Sequence, residues 1–283
     1  MKTLLVDSKF LLYRSLNAKI NLTHNEIKTS CYYLFFNSLQ SVANKMKVDN
    51  TILMWDSNYS YRREIYPEYK RKDKQKNKVV EEQIKMIELE YAGIKHTMKN
   101  LGFASFNRRG YEADDLFALY TRQHNDICVI LTRDDDLLQL LDAKRVIIYN
   151  PMKKKKITEK WFKKEYGIEV KDWPLFKAIC GCKSDNVKGV PGIANGRTLQ
   201  YLKKEASDKI NKKISEHKKL IEFNLKLVTL PFKQEDSNKN LFLRKKKTNL
   251  KMDKFISLCQ ILGFRSFLEN LNRFEVFRDK DHA

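Results

Sequence analysis

The stretch YEADD places Glu112, Asp114 and Asp115 within four positions of a chain whose 56 Lys and Arg outnumber its 35 Asp and Glu, for a formal net charge of +21. Further acids stand at Asp7, Asp56, Asp134 and Asp136. Carboxylates that meet in a folded protein repel one another, so their pKa values rise unless a cation neutralises them. An all-oxygen set of this kind suits Mg²⁺ or Mn²⁺, which keep several waters and also bind phosphates. Two such ions about 4 Å apart activate water on one side of a phosphodiester and stabilise the leaving oxygen on the other.

Whether the acids meet depends on the elements that carry them. Short apolar runs at 3–6 (TLLV), 51–55 (TILMW), 103–106 (FASF), 127–131 (ICVIL) and 145–149 (RVIIY) read as buried parallel strands. Between the first two, Ile27, Cys31, Leu34, Phe35, Leu39 and Val42 recur at spacings of three and four, which predicts a helix over 27–47. A second helix fits 79–99, and EADDLFALYTRQ opens a third. Strands alternating with helices imply an α/β fold with a mostly parallel central sheet flanked by helices. All carboxyl ends of such a sheet share one edge, where ligands bind. Asp7, Asp56, the YEADD acids, and Asp134 with Asp136 each follow a different strand, so seven acids converge there. A single Asp after a strand is ordinarily a helix cap; repetition at four strand ends argues for a site.

Past about residue 150 helical patterns replace strand patterns, which predicts an all-helical C-terminal part. Pro151, followed by four lysines, marks a junction between 1–150 and 151–283, either a linker or a change of layer within one body.

Composition narrows the partner. With 42% hydrophobic and 11% aromatic residues the chain is no disordered tail, and no stretch is apolar enough to span a bilayer. Asp7 and Lys9 break the first apolar run before it reaches signal-peptide length. Five cysteines (31, 128, 180, 182 and 259) form no CxxC pair, which fits reduced thiols in a cytoplasm. The positive excess points to a polyanion, nucleic acid rather than membrane. Residues 57–78 hold eight Lys or Arg, three acids and four tyrosines, a local charge of +5. Cations interleaved with aromatics suit single-stranded nucleic acid. A solvated loop is the plain alternative for KRKDKQKNK, but the segment leaves the acidic edge directly after Asp56.

LLVDSKFLLYR, WDSNYSYRREIYPEYK, YEADDLFALY, LTRDDDLLQLL and CGCKSDNVKGVPGIANGR occur in the order and approximate spacing of the 5′-nuclease (flap endonuclease) family, and the chain resembles its bacteriophage members and the 5′-nuclease domain of bacterial DNA polymerase I. The motifs span residues 4–197. The resemblance implies a PIN-like nuclease core with a basic helical arch (about 57–100) and a helix-hairpin-helix motif (about 175–205). It implies a divalent-metal phosphodiesterase acting 5′ to 3′ on DNA ends and flaps, with RNA-DNA hybrids as further substrates; nothing in the sequence suggests an obligate dimer, so a monomer is expected. It places Asp7, Asp56, Glu112, Asp114 and Asp115 around one Mg²⁺ or Mn²⁺, and Asp134, Asp136 and Asp185 towards a second. Lys70, with Arg62 or Arg63, is assigned to catalysis. Arg14, Tyr69, Lys70, Arg71, Lys72, Lys188, Gly189, Val190, Gly192 and Arg197 are assigned to DNA contact, with Tyr69 able to stack on a base and K⁺ expected at the hairpin.

Two positions depart from the family pattern. Cys182 stands where the second-metal motif G-D-x-x-D has its first Asp, and a mostly protonated thiol is a poor ligand for Mg²⁺. Asp185, Asp134 and Asp136 suffice with waters, or Asp135 compensates, or activity is weakened or shifted to Mn²⁺. The plain reading of Cys182 itself is a small, buried helix residue, and adjacent Asp135 should point away from its neighbours. The alternative function is a catalytically weakened protein that binds branched DNA; a PIN-type ribonuclease is a third reading. Ala194 stands where the hairpin has a second Gly, which would cost about 1 kcal/mol if the position needs positive φ.

Overall fold

The computed structural model describes residues 1–71, 78–233 and 241–278. In chain order they form β1 (Lys2–Asp7), α1 (Ser8–Leu16), α2 (Ser30–Met46), β2 (Asn50–Met54), α3 (Arg62–Ile65), α4 (Lys78–Asn100), β3 (Ala104–Phe106), α5 (Ala113–Gln123), β4 (Ile127–Leu131), β5 (Val146–Asn150) and β6 (Lys155–Ile157). Helices α6 (Glu159–Tyr166), α7 (Trp173–Cys180), α8 (Asn195–Leu202), α9 (Asp208–Glu216), α10 (Lys218–Val228) and α11 (Met252–Ile261) follow.

The central sheet has the order β3-β2-β1-β4-β5-β6, parallel except for β6. Winding reverses between β1 and β4, the switch point where such sheets open a crevice beyond the strand ends. Side chains alternate across β1: Leu4 and Val6 join Phe35, Leu39 and Phe255 on one face, while Leu5 joins Ile52, Phe117 and Ile130 on the other. A third cluster, with Ile179, Val187, Ile214 and Leu227, binds α7 to α9 and α10.

The described region after residue 150 is not wholly helical. Strand β6 returns antiparallel onto β5, so Pro151 lies in a turn of the sheet rather than in a linker, and Gly181–Cys182 pairs with Val187–Lys188 in a short ladder. Both escape detection because Lys-Lys-Ile and two-residue strands carry no apolar run. The predicted helix 27–47 begins at Ser30, its first residues having joined a hairpin of Thr23–His24 with Ile27–Lys28. Residues 241–251 cover the β3 edge, where the Ala104 amide donates to Thr248 Oγ1 (2.8 Å). Among the described residues no helix is long and apolar enough to cross a membrane.

Candidate active site

The parallel register sets Asp7 opposite Met54, and Val6 opposite Leu131, so the chain leaves β1, β2 and β4 at one level. A cleft of about 920 Å³ opens there, lined by Asp7, Asp56, Asp114, Asp134, Asp136 and Lys70 among others. Several of the acids are first local capping devices. Asp7 caps α1, accepting from the Phe10 amide (2.9 Å) and from Thr132 Oγ1 (2.9 Å). Asp56 accepts from the Ala113 amide at the start of α5 (2.9 Å) and pairs with Lys9 (2.8 Å). Glu112 and Asp115 form a reciprocal capping box on α5, and Asp134 caps the 3₁₀ turn Asp135–Leu140. Capping and clustering are thus compatible: the caps aim the Asp7 and Asp134 carboxylates at the cleft.

Crowding shows in the acidities. Burial, with Asp56 and Asp134 nearby, pushes Asp7 up to about 6 against the Phe10 hydrogen bond. Asp114 is held well above the ordinary carboxylate range by burial and then by Asp134. Asp134, open to the cleft but walled by protein elsewhere, is pushed up to about 6 by loss of solvent and then by Asp136. Asp185 is raised by burial and by Asp136 and Glu112, against Lys70. Burial acts to raise Asp56 too, but Lys9 and the Ala113 amide outweigh it and hold it low. Closely packed carboxyls that resist ionisation are the electrostatic counterpart of a cation seat.

Lys70 reaches into this set. Its ammonium lies 2.8 Å from Glu112 Oε2 and 3.8 Å from Asp185 Oδ1, and its amide donates to the Asp185 carbonyl (2.9 Å). Burial works to lower its pKa, but Tyr69, Glu112, Asp185 and Asp114 together hold it well above the ordinary value, so it stays charged.

Cys182 is buried, as expected, but in the short ladder rather than a helix. Its Sγ shares a group with Asp136 and Asp185 whose ligand atoms lie within 4.8 Å of one another. It lies 3.0 Å from Ser184 Oγ, and burial, Asp136 and Asp185 raise its pKa. The thiol is therefore neutral, and hard cations there depend on the carboxylates. Asp135 also lines the cleft, because its segment is a 3₁₀ turn and not extended.

Several assignments need correction. Asp115 has no exposed surface: its oxygens accept from Arg62 Nη1 (2.7 Å) and Nη2 (2.8 Å), from the Phe232 amide (2.7 Å) and from the Glu112 amide (3.0 Å), so it supports the acid corner from beneath and has no free oxygen for a metal. Arg62 is equally buried, its Nε on the Leu227 carbonyl (2.8 Å), and cannot meet a phosphate. Arg63 is exposed, with Nε on the Tyr69 carbonyl (3.2 Å). Tyr69 is buried and donates to Glu112 (3.0 Å) and Asp185 (3.3 Å), so its ring is not available for base stacking. Arg71 is exposed and pairs with Glu68, Arg14 lines the cleft with Nη1 on Ser38 (2.8 Å), and Lys72 lies outside the described residues.

At the hairpin, the Val190 side chain is buried and its amide donates to Ile179 (2.8 Å), leaving no donor for a phosphate. A Cβ at Gly189 would lie 2.4 Å from the Cys180 carbonyl, so that glycine serves backbone packing. Gly192 takes the positive φ (73°), while Ala194 sits at φ −94°, an ordinary value that costs alanine nothing. Lys188 is exposed, and Arg197 Nη1 donates to the Gly192 carbonyl (2.6 Å). Lys9, Tyr13, Arg133, Lys154 and Lys177 line the cleft without having been singled out from the sequence. For Lys9 the signal was present: it follows Asp7 by two residues. Lys177, 2.6 Å from Asp136, gave no such sign.

A parallel sheet whose switch point gathers carboxylates, with a charged lysine among them, suits a divalent-metal-dependent enzyme that acts on phosphate esters. Residues 2–167 match the 5′-3′ exonuclease, N-terminal resolvase-like domain, and the chain belongs to the 5′-3′ exonuclease family. It is 30% identical to the 5′-3′ exonuclease of Mycoplasmopsis pulmonis over 95% of each chain, and 31% identical to that of Aquifex aeolicus over 73% of this chain and 71% of the relative. The fold is shared with the T5 D15 protein co-crystallised with metal ions: TM-score 0.69, 22% identity, covering 82% of this chain and 90% of that one.

Proposed function

We propose that the protein is a structure-specific 5′ to 3′ nuclease that hydrolyses phosphodiesters at 5′ ends and flaps of DNA, with RNA-DNA hybrids among its substrates. The observation that carries this reading is the convergence of Asp7, Asp56, Asp114, Asp134 and Asp136 with Lys70 on one cleft. Asp7, Asp56, Glu112 and Asp114 are the candidates to hold a first Mg²⁺ or Mn²⁺, and Asp134, Asp136 and Asp185 a second. The donor set fits, being carboxylate oxygen throughout except for Cys182. Bound there, such ions supply Lewis acidity and a hydroxide-like water at neutral pH. The chain's own residues do the rest: the Lys70 ammonium, kept protonated, offers charge to a phosphate oxygen, and Tyr69 and Arg62 fix the acids that surround it.

The exposed cations Arg63, Arg71, Lys188 and Arg197 are left as contacts to the DNA backbone, with 1–150 carrying the chemistry and 151–283 the duplex. K⁺ at the hairpin would compete with Arg197 for the Gly192 carbonyl. We place the protein's work, as a monomer, in a reducing cytoplasm, consistent with its five unpaired cysteines. A second reading, branched-DNA binding with weakened turnover, is favoured by one observation: the neutral Cys182 thiol inside the Asp136–Asp185 group. A 5′-flap duplex incubated with Mg²⁺ or Mn²⁺, with and without chelator, tests both. Chelator-sensitive cleavage is expected; tight binding with no cleavage under either metal would leave only the second reading.

A further inference from the structure

The turn between β5 and β6, with the first two residues of β6, carries four consecutive lysines, 153 to 156, and stands on the rim of the catalytic cleft: Pro151, Met152 and Lys154 line it together with Asp7 and Lys70. The turn is held in shape. Buried Asn150 accepts from the amides of Met152 (3.0 Å) and Lys153 (3.2 Å). Lys155 lies back over the Trp161 ring (4.1 Å), leaving Lys153, Lys154 and Lys156 exposed. Among the described residues, none of these three has a carboxylate partner. Lys154 adopts φ +49°, a region in which Cβ sterics favour glycine; Lys70, also in the cleft, does the same at φ +51°. The two left-handed non-glycine residues of the cleft wall are thus both lysines.

A plain alternative exists, since lysines protect exposed sheet edges and β6 is an edge strand. Lys153 and Lys154, however, precede the strand and shield no ladder. We propose that this lysine tip binds the phosphate backbone of the DNA substrate as it passes the cleft, a contact additional to Lys70. The inference rests on the nuclease reading above.

The test is binding of a 5′-flap duplex by fluorescence anisotropy, with chelator present, over a range of KCl concentrations. For K153A/K154A/K156A we expect Kd at 0.1 M KCl to rise about tenfold. The slope of log K against log salt should shrink by roughly two to three, since each lost phosphate contact on duplex removes about 0.9. K154G separates charge from backbone: it should keep or raise Tm yet weaken binding a few-fold. A parent that binds, with triple-variant Kd within twofold and slope unchanged, overturns the proposal alone. Self-association of the variant with unchanged slope assigns the lysines to edge protection and also overturns it. A parent that does not bind DNA overturns the nuclease reading and this inference together.

Discussion

The two halves of the cleft hold their acids by different means. On the β1–β2–α5 side, Asp7 and Asp56 are aimed by backbone amides, and the Glu112–Asp115 box is fixed from beneath by the Arg62 fork. Of the lysines on that side, Lys9 on Asp56 is half exposed and Lys70 lies 2.8 Å from Glu112. On the other side the acids hang on a 3₁₀ turn and a short hairpin: Asp134 takes the Asp136 amide (2.8 Å), but Asp136 and Asp185 are held by side chains, Lys177 on Asp136 (2.6 Å), and Tyr69 and Lys70, which reach Glu112 more closely, on Asp185. Backbone amides orient a carboxylate without a competing full charge, whereas a lysine paired to it would have to give way to any other cation. Asp7 is thus held ready on the first side, while Asp136 on the second would have to exchange Lys177.

The largest expected effect contrasts one acid from each half. Asp114→Asn should lower single-turnover cleavage of a 5′ flap about 10³-fold, and Asp185→Asn by about 10²-fold or less, in line with the loss of one preorganised electrostatic element. Equal losses would break the comparison. Stability should separate the halves next. Arg62→Ala leaves Asp115 as an uncompensated buried charge and should cost about 3–5 kcal/mol in urea unfolding. Lys177→Ala, at a partly exposed pair, should cost about 1 kcal/mol or less; a cost matching that of Arg62→Ala would show the second half to be equally rigid.

A pH series sharpens the contrast. Asp7 and Asp134 titrate near 6 when folded, above the ordinary carboxylate value in the unfolded chain. An acid so raised disfavours folding once it ionises, so metal-free stability should decline as pH climbs from about 4 through 6. Mn²⁺ relieves that repulsion only where the carboxyls are ionised. Its effect on Tm should therefore be large at pH 7.5 and small at pH 5. A stabilisation equal at both pH values would remove these acids from the metal site.

The same contrast explains what the sequence made legible. Acids at strand ends could be read because a parallel sheet maps four separate runs onto one edge, and each acid follows its run directly or after a short loop. The partners of those acids could not be read. Arg62 and Asp115 are 53 positions apart, and nothing local says that an arginine in a basic, tyrosine-rich stretch turns inward. Tyr69 beside Lys70 looked like a stacking platform because its burial depends on α7 and α10, far along the chain. The lysines of β6 hid a strand, since an edge strand exposed on one side needs only one apolar residue, Ile157, to pack. Ala194 looked costly only on the assumption that its φ was positive.

The smallest expected effect falls on the residue that differs most between the halves. Cys182→Asp adds a fourth carboxylate to Asp134, Asp136 and Asp185. Without metal the added charge faces like charges at close range, so Tm should fall by a few degrees, less so at low pH where the new group is protonated. With Mg²⁺ the sign reverses: oxygen replaces a neutral sulfur, and the apparent Mg²⁺ affinity, read by isothermal titration calorimetry, should rise several-fold. If Asp134, Asp136 and Asp185 already suffice, cleavage at saturating Mg²⁺ changes by less than threefold. A gain of a hundredfold would mean that the thiol had cost the protein its second ion, and that the half held by side chains is adapted to binding rather than to turnover.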